Sequence, residues 1–99
     1  MKTQEHINEM RTKAIEHINN GDIYNAMQGF RRILGIDPSL GDIWKRLGIC
    51  AHAIGDLGDA HYCLTQALSC KTDENTYKAI EIHLDKVSSK LYRVFTSPK

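Results

Sequence analysis

Gly21-Asp22 and Gly55-Asp56 punctuate the chain at an interval of 34 residues. Ala26 and Ala60 share that offset, as do Phe30 and Leu64, and Met10 and Trp44. Recurrence at a fixed period of this length implies one supersecondary unit used twice, each copy burying a face that it cannot bury alone.

The unit is helical. Ile7, Met10, Ala14 and Ile18 recur at helical spacing, and Ile23, Ala26, Phe30, Ile33 and Leu34 form a second stripe. Trp44, Leu47, Gly48 and Ala51 form a third, and Ala60, Leu64, Ala67 and Leu68 a fourth. Ile80, Leu84, Val87, Leu91 and Phe95 form a fifth. No segment alternates long enough for a half-buried strand, and the β-branched residues are scattered. Asn19-Asn20-Gly21-Asp22 ends one helix with a residue tolerant of positive φ, then offers Asp22 as an N-cap. Gly55-Asp56 repeats this. Pro38 disfavours helix at Asp37 and supplies no N–H, after which Ser39 is expected to cap the next helix. Lys71–Asn75 reads as a polar loop. These boundaries predict an all-α fold of five helices, at about 5–19, 22–35, 40–53, 56–70 and 74–95.

With 99 residues, 41% of them hydrophobic, residues 1–99 form a single domain with a modest core. A net charge of +1 argues against polyanion binding by bulk electrostatics. Arg31-Arg32 and Lys45-Arg46 are short pairs among acids, so no nucleic-acid partner is expected. Charge-free stretches such as Leu47–Gly55 are less than half of a spanning helix, so no membrane partner is expected. Lys2, Glu5, Glu9, Arg11 and Lys13 leave the first residues without the apolar run of a signal peptide. Cys50, Cys63 and Cys70 are odd in number with no CxxC pair. They read as reduced, mostly buried thiols of a cytoplasmic protein.

Trp44-x2-Leu47-Gly48-x2-Ala51 is followed by Ala60-x3-Leu64. One period earlier stands Ala26-x3-Phe30, with Pro38 eight residues on. This pattern resembles the tetratricopeptide repeat, W-x2-L-G-x2-Y, then A-x3-F, then P. The resemblance covers repeat one at 7–40 and repeat two at 41–74, plus a C-terminal capping helix at about 74–95. It departs at Ala51 and His17, where the family favours Tyr, at Lys13 for Leu, and at Thr72 for Pro. Gly48 and Ala14 are expected to be small because paired helices cross closely there. The last helix admits two registers: Tyr77 near the Trp44 position, or Ile80-x3-Leu84-x2-Val87 shifted by three.

The resemblance implies a right-handed α-solenoid fragment and a non-catalytic protein-interaction module. In the family, the first helix of each pair lines a concave groove through its second, fifth, ninth and twelfth positions. Here these are Asn8, Arg11, Ile15 and Ile18, then Asp42, Lys45, Ile49 and His52, with Arg46 beside Lys45. Ile15 and Ile49 are apolar where repeat packing does not require it, which points to a hydrophobic groove floor edged by Arg11, Lys45 and Arg46. A helix or extended peptide of another protein, with apolar anchors and some acids, suits that surface. The alternative is that Ile15, Ile18 and Ile49 pack under the final helix. The carboxylate clamp of chaperone-binding family members is largely missing, because Ile15 and Arg46 stand where Asn is expected.

No catalytic or metal site is expected. His6, His17, His52, His61 and His83 form neither HExxH nor a Cys–His pair at ligand spacing, and no cofactor is implied. Two other functions remain open. One is a self-associating structural subunit, a homodimer docking through Leu91, Tyr92 and Phe95. The other is a small chaperone similar in size and repeat type to type III secretion needle chaperones.

Overall fold

The computed structural model describes residues 2–96, with side chains described as far as Arg93. Five helices follow one another: α1 Lys2–Asn19, α2 Ile23–Ile36, α3 Gly41–Ala53, α4 Leu57–Ser69 and α5 Glu74–Thr96. There is no strand among the described residues. The fold is all-α, built of helix-turn-helix units. α1 starts three residues earlier than expected, and the other predicted ends fall within one residue of those observed.

Of the punctuation residues, the glycines do the same work twice and the aspartates do not. Gly21 and Gly55 adopt φ of +78° and +83°, the left-handed geometry in which a Cβ is strained. Asp56 then caps α4 by accepting from the Asp59 backbone N–H at 3.1 Å. Asp22 occupies the equivalent position before α2 but makes no side-chain cap. Its carboxylate accepts from Asn25 Nδ2 at 2.6 Å and stands 3.4 Å from His17 Nδ1.

The expectation for Ser39 is corrected: the residue preceding α3 is Leu40, which makes no side-chain cap. Both Ser39 N–H and its hydroxyl donate to Asp37 Oδ1, at 3.0 and 2.6 Å. Asp37 thereby closes a local turn around Pro38, and the hydroxyl is consumed there. At the next junction Asp73 takes the capping part, accepting from the Thr76 N–H at 3.0 Å.

Burial follows the 34-residue offset. Ala26 and Ala60, Phe30 and Leu64, and Ile33 and Ala67 are all fully buried, while Met10 and Trp44 both pack partly buried against the core. Side chains the size of Phe30 and Leu64 each contribute about 1.5–3 kcal/mol by leaving water. Small residues set the crossings. A Cβ on Gly48 would stand 2.8 Å from Leu64 Cγ, and one on Gly29 would stand 3.3 Å from Ala14 Cβ. Trp44 pins the turn between the units, donating from Nε1 to Pro38 O at 2.8 Å and meeting Tyr62 edge-on at 6.0 Å.

Each helix packs on its neighbours in chain order, and α5 also touches α3. The described chain is accordingly elongated, 53 × 29 × 20 Å. Ile80 and Val87 of α5 are fully buried, with Leu84 and Leu91 packed against the same core. Ile80, Leu84 and Val87 thus stand to α5 as Ile43, Leu47 and Cys50 stand to α3, an offset of 37 residues. The register shifted by three is the one the core adopts.

Candidate functional site

Side chains of α1 and α3 meet across one seam, at Arg11–Asp42 and around Ile18 and Ile49, and α3 meets α5 along a second. Arg11 and Asp42 close the start of the α1–α3 seam, with Nε 3.3 Å from Oδ2. Arg11 Nη1 also donates to Asn8 Oδ1 at 2.9 Å, and Gln4 Nε2 donates to the same oxygen at 3.2 Å. Asn8, Arg11 and Asp42 are therefore tied to one another.

Further along this seam a pocket of about 250 Å³ opens, lined by Ile18, Ile23, Arg46, Ile49, Cys50 and Ala53. Arg46, Ile49, Cys50 and Ala53 are spaced i, i+3, i+4 and i+7, so one face of α3 forms one wall. Ile18 and Ile23, from the end of α1 and the start of α2, form the other. Ile15 is half-buried on the same helix as Ile18 but does not line the pocket. No residue of α5 is among those lining this pocket. Arg46 Nε is shielded from solvent without a hydrogen-bond partner among the described residues.

The α3–α5 seam is different in chemistry. His52 Nε2 stands 2.8 Å from Lys90 Nζ, the ammonium donating to the neutral ring. Burial pushes the His52 pKa below its ordinary value, and the nearby charges of Lys90, His83 and Lys86 push it further the same way. Lys45, half-buried on α3, lies close enough to Asp73 to help lower that carboxyl, although the hydrogen bond from Thr76 is the larger cause.

At the far end of α5, Leu91 packs partly buried against the core, while Tyr92 is 70% exposed. The side chain of Phe95 lies outside the described residues.

The three thiols are free, with Cys50 and Cys63 buried. Cys63 is pushed up to about 12 by burial and by Asp59, whose Oδ1 lies 3.7 Å from Sγ. Burial also raises Cys50 and Cys70. A thiol shifted upward is a poor nucleophile at neutral pH. Among the described residues no three His, Cys, Asp or Glu side chains are grouped to hold a metal ion. No described helix is long and apolar enough to cross a membrane.

Sequence reasoning did not place Ile23, Cys50 and Ala53, nor His83, Lys86 and Lys90, at the groove. Cys50 and Ala53 follow from extending the Ile49 stripe by a turn, whereas Ile23 lies on α2 and joins them through the turn at Gly21. The last three recur at i, i+3 and i+7, a stripe visible once the register of α5 is fixed. No protein-family model matches the chain, and no curated protein sequence matches it.

Proposed function

We propose that this chain is a non-catalytic protein-interaction module of the tetratricopeptide type, which holds a peptide or helix of another protein in its concave groove. The observation that carries the reading is the open apolar pocket between Ile18 and Ile49, with the half-buried Arg46 at its wall. Concave apolar pockets with one polar group placed to orient a ligand are the usual form of peptide and small-ligand sites. The 34-residue pairing of Gly21 with Gly55 and of Phe30 with Leu64 supports the repeat assignment. The raised thiol pKa values favour binding over nucleophilic catalysis, and three unpaired thiols suit a reducing, cytoplasmic setting.

The test uses peptides selected from a random display library on the intact chain. Ile18→Asp and Ile49→Asp variants should keep their helical circular dichroism and bind those peptides about tenfold or more weakly. Undiminished binding by the folded variants would refute the groove assignment. The self-association alternative draws on the exposure of Tyr92 on the final helix. Sedimentation equilibrium at two well-separated concentrations separates the readings: a mass that doubles with concentration and reverts in Tyr92→Glu favours self-association.

A further inference from the structure

We propose that the α3–α5 seam is a carboxylate-binding subsite, in which His52, His83, Lys86 and Lys90 receive the acidic residues of an extended peptide anchored by an apolar side chain in the Ile18–Ile49 pocket. This rests on the peptide-binding reading above and adds the chemistry of the partner.

The two seams are built on the same plan with different contents. Through the 34-residue offset, Lys45 and His52 of α3 hold the places of Arg11 and Ile18 on α1. Through the 37-residue offset of α5, Ala79, His83, Lys86 and Lys90 hold the places of Asp42, Arg46, Ile49 and Ala53. In the first seam Arg11 meets the carboxylate of Asp42, and Ile18 faces Ile49 across the pocket. In the second, Ala79 replaces that carboxylate, and lysines replace the two apolar wall residues. The second seam has thereby lost its acid and gained two cations.

No ion pair in the described chain neutralises Lys86 or Lys90, and Lys45 has only the more distant Asp73. None of Lys45, Lys86 and Lys90 lies within ion-pair distance of a carboxylate among the described residues; the four ion pairs there involve Arg11, His17, Arg31 and Lys78. Among the described residues the close polar contact of Lys90 is with His52, itself a base. At 100° per residue, Glu81 and Asp85 fall on the opposite flank of the buried Ile80–Leu84–Val87–Leu91 stripe from Lys86 and Lys90. Lys86 and Lys90 remain exposed, and His83 is half-buried. Like charges held together on a concave face repel one another, and an incoming carboxylate relieves that repulsion while gaining charge-assisted hydrogen bonds.

Two features favour an acidic peptide over a long polyanion. The chain carries a net charge of only +1, so the cations form a local cluster rather than a track. The neighbouring pocket is apolar, and a phosphate backbone has nothing to place there. The pocket and the His52–Lys90 contact lie on neighbouring flanks of α3, so about one helix diameter, roughly 10 Å, separates them, which an extended chain spans in about three residues. The geometry therefore calls for an aliphatic residue with Asp or Glu about three positions away.

The experiment selects a random peptide display library on the intact chain and measures synthetic copies of the enriched peptides by fluorescence anisotropy. Enriched peptides should carry the aliphatic–acidic spacing. A Lys86→Glu/Lys90→Glu variant should bind them about tenfold or more weakly, and Lys86→Gln/Lys90→Gln should show a smaller loss in the same direction. Both positions are exposed, and unchanged helical dichroism verifies the fold. Neutral or basic peptides that ignore both double variants but fail on Ile49→Asp would overturn this subsite and leave the groove reading standing. A library that enriches no peptide would overturn both. Competition with single-stranded oligonucleotide or phosphatidylserine vesicles, lost in the same double variants and stronger than any peptide, would overturn the assignment to a peptide.

Discussion

Arg11 on α1 and Asp42 on α3 span the seam between the two helical units, Nε to Oδ2 at 3.3 Å. Their side chains are 24% and 43% exposed, so water screens much of the attraction. Double-mutant cycles on Arg11→Ala and Asp42→Ala should give a coupling of about 0.2–1 kcal/mol, falling as salt rises. In a domain of this size that is a change of a few degrees in Tm, since each kcal/mol moves it by about 4–8 °C. The same pairing occupies Arg11. Peptide affinity should respond weakly to Arg11→Ala and strongly to Arg46→Ala, because Arg46 has no carboxylate partner of its own among the described residues. Equal responses would argue against this division of labour.

Two glycines in helices should respond to alanine with opposite signs. A Cβ at Gly48 meets Leu64 Cγ at 2.8 Å and Ala60 O at 3.4 Å, and neither atom is the free end of a flexible side chain. Overpacking of that kind costs about 1–3 kcal/mol, more than the ~1 kcal/mol that alanine returns in helix propensity. Gly35 sits in the last turn of α2 with nothing within 4 Å of its added Cβ. Gly35→Ala should therefore stabilise by up to about 1 kcal/mol. Urea denaturation of the two variants checks the pair, and a stabilised Gly48→Ala would mean that α3 and α4 can separate at small cost.

The repeat was legible because its carriers are local. Gly21 and Gly55 are needed for a backbone geometry, and Ala26 and Ala60 for a close approach, so residue type alone marks them. Lys2 to Gln4 was not legible as helix because these side chains, like those of Glu5 and His6, are exposed, which leaves periodicity no signal there. Ser39 failed as a cap because Asp37, two residues away, competes for its hydroxyl. The pocket was half legible: Ile18 and Ile49 follow from repeat positions and Arg46 was noted only as the neighbour of Lys45, while Ile23 joins them only through the turn at Gly21. The cationic seam was hidden by the register of α5. Tyr77 and Ile80 offered two alignments, and only the burial of Ile80 and Val87 shows which flank turns to α3.

His52 links that seam to acid stability. Its folded-state pKa lies below the ordinary imidazole value, so between the two the unfolded chain binds more protons than the folded one. Stability from this group is complete above the unfolded pKa, about 6.5, and is lost as pH falls through the folded pKa. The opposing groups are Lys90, His83 and Lys86, all on α5. Lys90→Ala should raise the His52 pKa in an NMR titration and flatten the fall of Tm between neutral pH and the folded pKa. Lys86→Ala should act in the same direction and less strongly. A His52 pKa that does not move in Lys90→Ala would show that burial alone sets it.

The thiols should react in an order set by exposure. Cys63 is buried and pushed up to about 12, with the Asp59 carboxylate disfavouring the thiolate further. Cys50 is buried and raised. Cys70, at the end of α4, is only partly buried, although burial and Asp37 raise it too. At pH 8, Ellman's reagent should therefore label Cys70 first in the native chain and reach Cys50 and Cys63 only through opening of the fold. Asp59→Asn should lower the Cys63 pKa, yet its labelling should stay slow because access still requires α4 to leave the core. Peptide mapping after partial labelling identifies the site. Early modification of Cys63 would mean that α4 opens far more readily than its fully buried Ala60, Leu64 and Ala67 allow.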